Sequence, residues 1–511
     1  MGLLNNIIVN VFKGRIGKVE KYINDPVRYQ EYWFKYLIDK AKNTEFGRSH
    51  GFEDINSPSA FQQRVKVAEY DDMLPYIERV MKGEQNLLWP TPVRWFAKSS
   101  GTTSARSKFI PVSKEALQHC HYRGGKDLIT LYLNHNPNSR MFDGKGLIIG
   151  GSHQVNHLDG NKRTRYGDVS AVLMANSPVL ARWARTPSLK IALMDEWEAK
   201  LERMTKETSR VNVTSISGVP TWTVILLEKI LEYTGKSHIH EVWPNLELFI
   251  HGAVSFTPYR KLFNRIIPSD SMKYLETYNA SEGFFGIQDY PGADGMMLLV
   301  DHGIFYEFIP EEDIYKEHPK AVTLAEVELN KNYAVVISTN AGLWRYKIGD
   351  TVKFTSLKPY RIVITGRTKH FINAFGEEVI VENAEKAIAK ACEATGAIID
   401  DFTAGPKYLD TGGNQGYHEW IVEFQRQPDS LENFVKVLDN TLRKINSDYD
   451  AKRYKDIALT KPLVHIAAKN TFYNWLKKRG KLGGQNKVPR LSNDRKYLDD
   501  ILKMLTSGEN A

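Results

Sequence analysis

The chain has 511 residues, with 69 lysines and arginines against 60 aspartates and glutamates, for a formal net charge of +9. That length exceeds what one hydrophobic core organises, so about two to four domains are expected, and 42% hydrophobic with 25% charged residues is an ordinary soluble globular composition. No apolar run reaches the ~18 residues of a membrane-crossing helix. The two cysteines, Cys120 and Cys392, exclude a disulfide framework and fit a reducing cytoplasm.

In chain order, residues 1 to 22 carry an apolar stripe interrupted by Asn5, Asn6 and Asn10. Lacking the charged start and cleavage site of a signal peptide, they read as a first helix packed on the body. Residues 17 to 80 read as mostly helical, with Pro75 as a break. An apolar strand from Val93 to Ala97 precedes SSGTTSARSK, Ser99 to Lys108, and FIPVS follows. Residues 141 to 153 hold a strand ending in Gly150-Gly151, and 177 to 209 are rich in helix formers and charges. Pro220 suits a first helical turn, Trp222 to Leu231 forms an apolar helix, and Gly235 stops it. NLELFIHGAVSF is a buried strand running into a glycine turn, and LETYNASEGFFGIQ is a strand followed by a polar turn. Strand signals dominate from about 296 to 365 and suggest meandering sheets. From Gly366 the pattern becomes strand, turn, strand, helix, and HEWIVEFQ adds a strand. A boundary there predicts domains at 1–365 and 366–511, the second of normal size.

Cys120 lies between His119 and His121, but neighbours on a helix point apart, so a metal site there is not expected. Histidines 153, 157, 238, 240 and 302 show no metal-ligand spacing either. The densest basic run, Lys477 to Lys481, comes without a zinc-finger or RNA-binding signature, and cations are otherwise interspersed with acids. The charge therefore favours anionic small substrates over nucleic acid.

SSGTTSARSK carries the chemistry most directly. Glycine lets backbone N–H groups turn inward, hydroxyls add donors, and Arg106 and Lys108 add positive charge, which suits a polyphosphate. The GxxxxGK[ST] spacing is absent, so the chemistry differs from that of the usual ATPase or kinase.

Four more segments follow in order: HGAVSF (251–256), TYNASEGFFG (277–286), LWRYKIGD (343–350) with GRTKHFINAFGEE from Gly366, and GGQNKVPRL (483–491). The series resembles the adenylate-forming superfamily of acyl-CoA synthetases, luciferases and peptide-synthetase adenylation domains. Within it the likeness is to the auxin-responsive family of acyl acid amido synthetases, whose plant members join indole-acetate or jasmonate to amino acids. VKVAEYDDMLPYIERVMKGE looks like that family's N-terminal helical signature.

The resemblance implies an α/β multidomain fold. A large luciferase-like N-terminal domain would hold sheets, helices and a distorted barrel, and a small α+β C-terminal domain would act as a mobile lid. It implies an ATP- and Mg²⁺-dependent ligase that makes an acyl-adenylate from a carboxylic acid and passes the acyl group to an amine, here an amino acid. Such a reaction gathers a triphosphate, a cation and a carboxylate, so preorganised donors must meet the transition-state charge.

Carried over residue by residue, Ser99, Ser100, Gly101, Thr102, Thr103 and Ser104 hold the β- and γ-phosphates, with Lys108 beside them. The backbone of Gly252, Ala253 and Val254 lies along the adenine, and Tyr278 stacks on it. Ser281 donates to the α-phosphate, and Glu282 is the Mg²⁺-linked carboxylate. Asp350 accepts both ribose hydroxyls and Arg367 adds a second ribose contact. Lys369 marks the hinge, and Lys487 is the mobile lysine that reaches the reacting carboxylate and α-phosphate. Val219, Trp222 and Thr223 are candidates for the acyl pocket.

Two departures stand out. Thr103, Ala105 and Ser107 change the middle of the loop at constant length, and the GEE at 376–378 looks more like general adenylate-forming enzymes. An acid–thiol ligase using coenzyme A therefore stays an alternative. A non-catalytic nucleotide-binding protein is another, against which the presence of Glu282, Asp350 and Lys487 argues. No stable membrane insertion is expected, and the sequence leaves the oligomeric state open.

Overall fold

The computed structural model describes residues 9–99, 108–150, 156–158, 161–194, 196–252, 256, 259–367, 371–408, 415–456, 458–479 and 488–506. The chain divides into two compact units. The first is built from residues up to Thr368, and the second runs from Lys369 with a short segment around Tyr259.

The first unit opens with helices whose starts are written locally. Pro26 begins Pro26–Ala41, Ser57 accepts from the Ala60 N–H at the start of Pro58–Arg64, and Glu69 with Asp72 forms a capping box at Tyr70–Lys82. Pro75 does not break this last helix but sits inside it. One backbone donor is lost there, while Tyr70, Met73, Ile77, Val80 and Met81 bury a continuous face that holds the helix together.

The strands form a twelve-stranded sheet and a four-stranded one, both in the first unit. In the large sheet, Arg185–Thr186, Lys145–Ile148, Val213–Gly218, Leu248–Gly252 and Lys273–Ala280 lie side by side and parallel. The two central strands, Val213–Gly218 and Leu248–Gly252, are buried at consecutive positions and so on both faces, whereas Arg185–Thr186, Lys145–Ile148 and Lys273–Ala280 are only partly buried. Lys273–Ala280 then pairs antiparallel with Gly283–Ile287, and Met296–Leu298, Tyr360–Arg367, Tyr346–Leu357, Asn332–Thr339 and Ile304–Pro310 continue the sheet antiparallel.

The expected distorted barrel is not found among the described residues. Met296–Leu298 is hydrogen-bonded to Gly283–Ile287 on one side and Tyr360–Arg367 on the other. The meander thus extends the open sheet and has no free edge there on which to close.

In the smaller sheet, Trp95–Ser99 pairs antiparallel with Lys108–Val112 and parallel with Asn161–Gly167. The predicted helix after Val219 runs Pro220–Thr234, with Pro220 in its first turn and Gly235 left-handed (φ 65°) at its end.

The second unit has a three-stranded sheet, in which Gly416–Arg426 pairs antiparallel with Ile398–Tyr408 and parallel with Leu463–Ala467. Period-two alternation sends Trp420 and Val422 into a core with Phe402, Phe434 and Leu438, while Ile421 joins Phe472, Trp475 and Ile501 on the opposite face.

Candidate active site

The parallel half of the large sheet supplies the frame, because ligands in such sheets bind beyond the carboxyl ends of the strands. Register places Gly218 beside His251 and Gly252 beside Thr277, so the strands ending at Gly218, Gly252 and Ala280 finish at one end of the sheet. Gly252 is required there by contact: a Cβ would sit 2.4 Å from the Thr277 carbonyl oxygen. Thr277 Oγ1 donates to the His251 carbonyl at 3.0 Å and ties the two strand ends together.

Ser281 and Glu282 form the turn between Lys273–Ala280 and Gly283–Ile287, both half-buried. Tyr278, two residues before the strand end, is buried with its ring edge-on to Phe285 at 4.9 Å. Its hydroxyl donates to Asp350 Oδ2 at 2.6 Å, which joins two motifs 72 residues apart. Asp350 is itself buried and pairs across the strands with Arg367.

A second link runs through Tyr70, which the sequence reading did not single out as a site residue. Its ring lies 5.5 Å from Lys108 Nζ, its hydroxyl accepts from the Phe109 N–H at 2.8 Å, and it feels the Glu282 carboxylate. Burial, opposed by that backbone hydrogen bond and reinforced by nearby acids including Glu282, raises the Tyr70 pKa. Lys108 is 6% exposed. The structure thus gathers Lys108, Tyr70 and Glu282 at one place and Tyr278 with Asp350 at another, with Tyr278 and Glu282 four residues apart around one hairpin.

His121 was also passed over. It closes a π-helix, Ala116–His121, and hydrogen-bonds the side chain of Asn279 between Tyr278 and Ser281. Burial lowers its pKa to about 4, so the ring is neutral at pH 7. The same cause, with Arg260 nearby, lowers His251 to about 3. His251 stacks on Phe256 at 4.2 Å, and Arg260 lies over Phe256 and Tyr274 at 4.7 and 4.8 Å. The His121–Asn279 and Arg260–Tyr274 contacts join elements distant in the chain, so no sequence spacing announces them.

Of the acyl-pocket candidates, Val219 is half-buried at the helix start, and Trp222 is 9% exposed. Thr223 is fully buried and its hydroxyl donates to the Val219 carbonyl at 3.0 Å. Ser99 ends its strand opposite Lys108. Ser100, Gly101, Thr102, Thr103, Ser104, Ala253, Val254, Lys369 and Lys487 lie outside the described residues, as does the side chain of Arg367. Among the described residues no group of three His, Cys, Asp or Glu side chains could hold a metal ion, and no helix is long and apolar enough to cross a membrane.

Solved structures share this architecture. An acyl acid amido synthetase in complex with 2,4-DB (AtGH3.15) matches 97% of the chain over 96% of its own length, with a TM-score of 0.62 and 17% identity. A 2-hydroxyisobutyryl-CoA ligase in complex with 2-HIB-AMP and CoA matches 95% over 93%, with a TM-score of 0.54 and 12% identity. The fold is that of adenylate-forming ligases. The chain belongs to the GH3 family, since residues 15–272, 297–367 and 382–496 match its N-terminal, central and C-terminal domains. Curated relatives include indole-3-acetic acid-amido synthetase GH3.3 of Arabidopsis thaliana, 21% identical over 89% of this chain and 87% of its own. Jasmonoyl-L-amino acid synthetase JAR6 of Nicotiana attenuata is 24% identical over 96% and 95%.

Proposed function

We propose that the protein is an ATP-dependent acyl acid amido synthetase: it activates a carboxylic acid as an acyl-adenylate and joins it to an amino acid. The observation that carries this reading is the hydrogen bond from Tyr278 to Asp350, at the carboxyl end of the parallel strands, in a chain of the GH3 family. The named relatives that make amides of indole-acetate and jasmonate support it.

In this reading the ribose hydroxyls donate to Asp350, which Tyr278 holds in place while offering its ring to the adenine. Ser281 and the loop from Ser99 to Ser104 meet the phosphates, and Lys108 adds a desolvated charge whose field water screens little. Glu282 is a hard oxygen donor at a turn, and it suits Mg²⁺, which binds through one or two carboxylates together with substrate phosphates. The bound ion would neutralise charge on the leaving pyrophosphate. Lys487 reaches the reacting carboxylate and α-phosphate, residues 1–365 bind ATP and acid, and 366–511 act as the lid that turns about Lys369. A cytoplasmic site fits the two widely spaced cysteines.

Exchange of labelled pyrophosphate into ATP, screened over a panel of carboxylic acids, tests the first half-reaction. Exchange dependent on an acid is expected, and none with any acid would count decisively against the reading. Because the fold is shared with a CoA ligase, product analysis with amino acids and with coenzyme A then separates amide from thioester.

A further inference from the structure

The strand Lys108–Val112 leads through Ser113 into the π-helix Ala116–His121. The Ser113 hydroxyl anchors the start of that helix: it accepts from the Ala116 N–H at 2.9 Å and donates to the Asn340 carbonyl at 2.6 Å. Single π-turns are rare and recur at functional sites. The last two residues of this one, Cys120 and His121, both reach the hairpin of Lys273–Ala280 and Gly283–Ile287.

In that hairpin Ala280 pairs with Gly283 and Asn279 with Phe284, so Ser281 and Glu282 are the turn itself. The π-helix holds both members of the Asn279–Phe284 pair. His121 hydrogen-bonds the Asn279 side chain, and Cys120 Sγ accepts from the Phe284 N–H at 3.2 Å. That N–H needs an acceptor, because the ladder to Met296–Leu298 starts only at Gly286 and a buried backbone donor left unpaired is costly. Burial pushes the Cys120 thiol up to about 12, so the sulfur stays protonated and serves as a hydrogen-bonding group, not as a nucleophile.

A third contact fixes the Phe284 ring. A Cβ at Gly124, in the helix Tyr122–His135 that follows, would sit 2.6 Å from Phe284 Cδ1, so glycine is what lets the ring lie against this helix. Cys120, His121 and Phe284 are all buried. A rung gripped at both ends cannot slide, and the turn lies one residue pair beyond it. Such control matters for chemistry, since a ~1 Å displacement of a reacting geometry costs about 100-fold in rate.

We propose that Cys120 and His121 are positioning residues for adenylation: from the buried side of the hairpin they hold the turn that bears Ser281 and Glu282. The inference rests on the roles proposed above for those two turn residues.

The full chain is compared with Cys120→Ala, Cys120→Ser and His121→Phe. Asn279→Ala removes the His121 bond from the exposed side of the hairpin and replaces His121→Phe if that variant misfolds. In acid-dependent pyrophosphate exchange, Cys120→Ala and His121→Phe should lower kcat about 10- to 100-fold while the KM for ATP moves less than about threefold. Cys120→Ser keeps an acceptor and should recover most of the loss. In a Glu282→Gln background the same substitutions should lower kcat less than about threefold further, because the turn they place no longer acts. A merely structural role predicts the full loss again in that background, or a lower denaturation midpoint with kcat kept; either result would overturn the proposal. A non-hydrolysable ATP analogue, titrated calorimetrically with Mg²⁺ and with EDTA, supplies a readout apart from activity. Tightening by Mg²⁺ that shrinks by about fivefold or more in the variants upholds the proposal even if no acid supports exchange, which would refute the activity alone. Exchange and binding that the variants leave unchanged would refute the positioning role and keep the activity. Neither exchange nor Mg²⁺-dependent binding in the unaltered chain would overturn both.

Discussion

At the scale of single residues, Tyr278 and Lys487 carry the sharpest expectations. Tyr278→Phe removes one donor to a buried carboxylate and leaves the ring. A hydrogen bond to a charged group contributes about 1.5–3 kcal/mol, so the KM for ATP should rise about tenfold with kcat changed much less. Steady-state kinetics check this, and an unchanged KM would show that the tyrosine does not orient Asp350. Lys487→Ala should slow adenylation by about two or more orders of magnitude while ATP still binds; single-turnover adenylation and nucleotide titration separate the two, and unchanged rates would remove Lys487 from the mechanism. Arg345, in the WRYKIGD segment, illustrates the opposite lesson. It is 4% exposed, and its guanidinium donates to the Glu307 carboxylate and to the Gln62 and Val65 carbonyls, so its part is structural.

At the scale of elements, strand ends and turns do the positioning. Gly252→Ala would press a methyl group against the Thr277 carbonyl, which as backbone yields little. Overpacking of this kind costs about 1–3 kcal/mol, so denaturant titration should reveal a destabilised first unit, with adenylation falling further than stability. The GEE turn of the second unit holds a buried carboxylate. Burial works to raise the Glu377 pKa, but its pairing with His418 at 2.8 Å and hydrogen bonds from the backbone N–H groups of Glu377 itself and Phe375 overcome it and lower the pKa. The stability this contributes is present above the unfolded value of about 4.5 and is lost as pH falls through the lower folded value. His418→Ala strands the carboxylate and should cost about 3–5 kcal/mol in chemical denaturation.

At the scale of the whole molecule, buried neutral histidines set a pH window. His121 and His251 have folded pKa values of about 4 and about 3, both below the unfolded value near 6.5. The unfolded chain therefore binds more protons as pH falls from 6.5 toward these values, and the first unit loses stability over that range. Melting temperatures between pH 7 and pH 4 should fall, and His121→Gln should flatten the curve; a pH-independent melting point would contradict the burial of these rings.

The sequence by itself determined the elements and the order of the motifs. Pro220 and Gly235 bracket their helix, and the apolar runs at 248–252 and 304–309 became buried strands, because caps, turn residues and hydrophobic period act within a few residues of chain. Where local signals met global packing, packing prevailed: Pro75 stayed inside a helix held by its buried face, and the strands after 296 extended one sheet instead of closing a barrel. Only the tertiary structure decided that Tyr278 meets Asp350 and that Tyr70 lies near both Lys108 and Glu282. Such pairings depend on strand register and on contacts between residues far apart in the chain, which no local window of sequence contains.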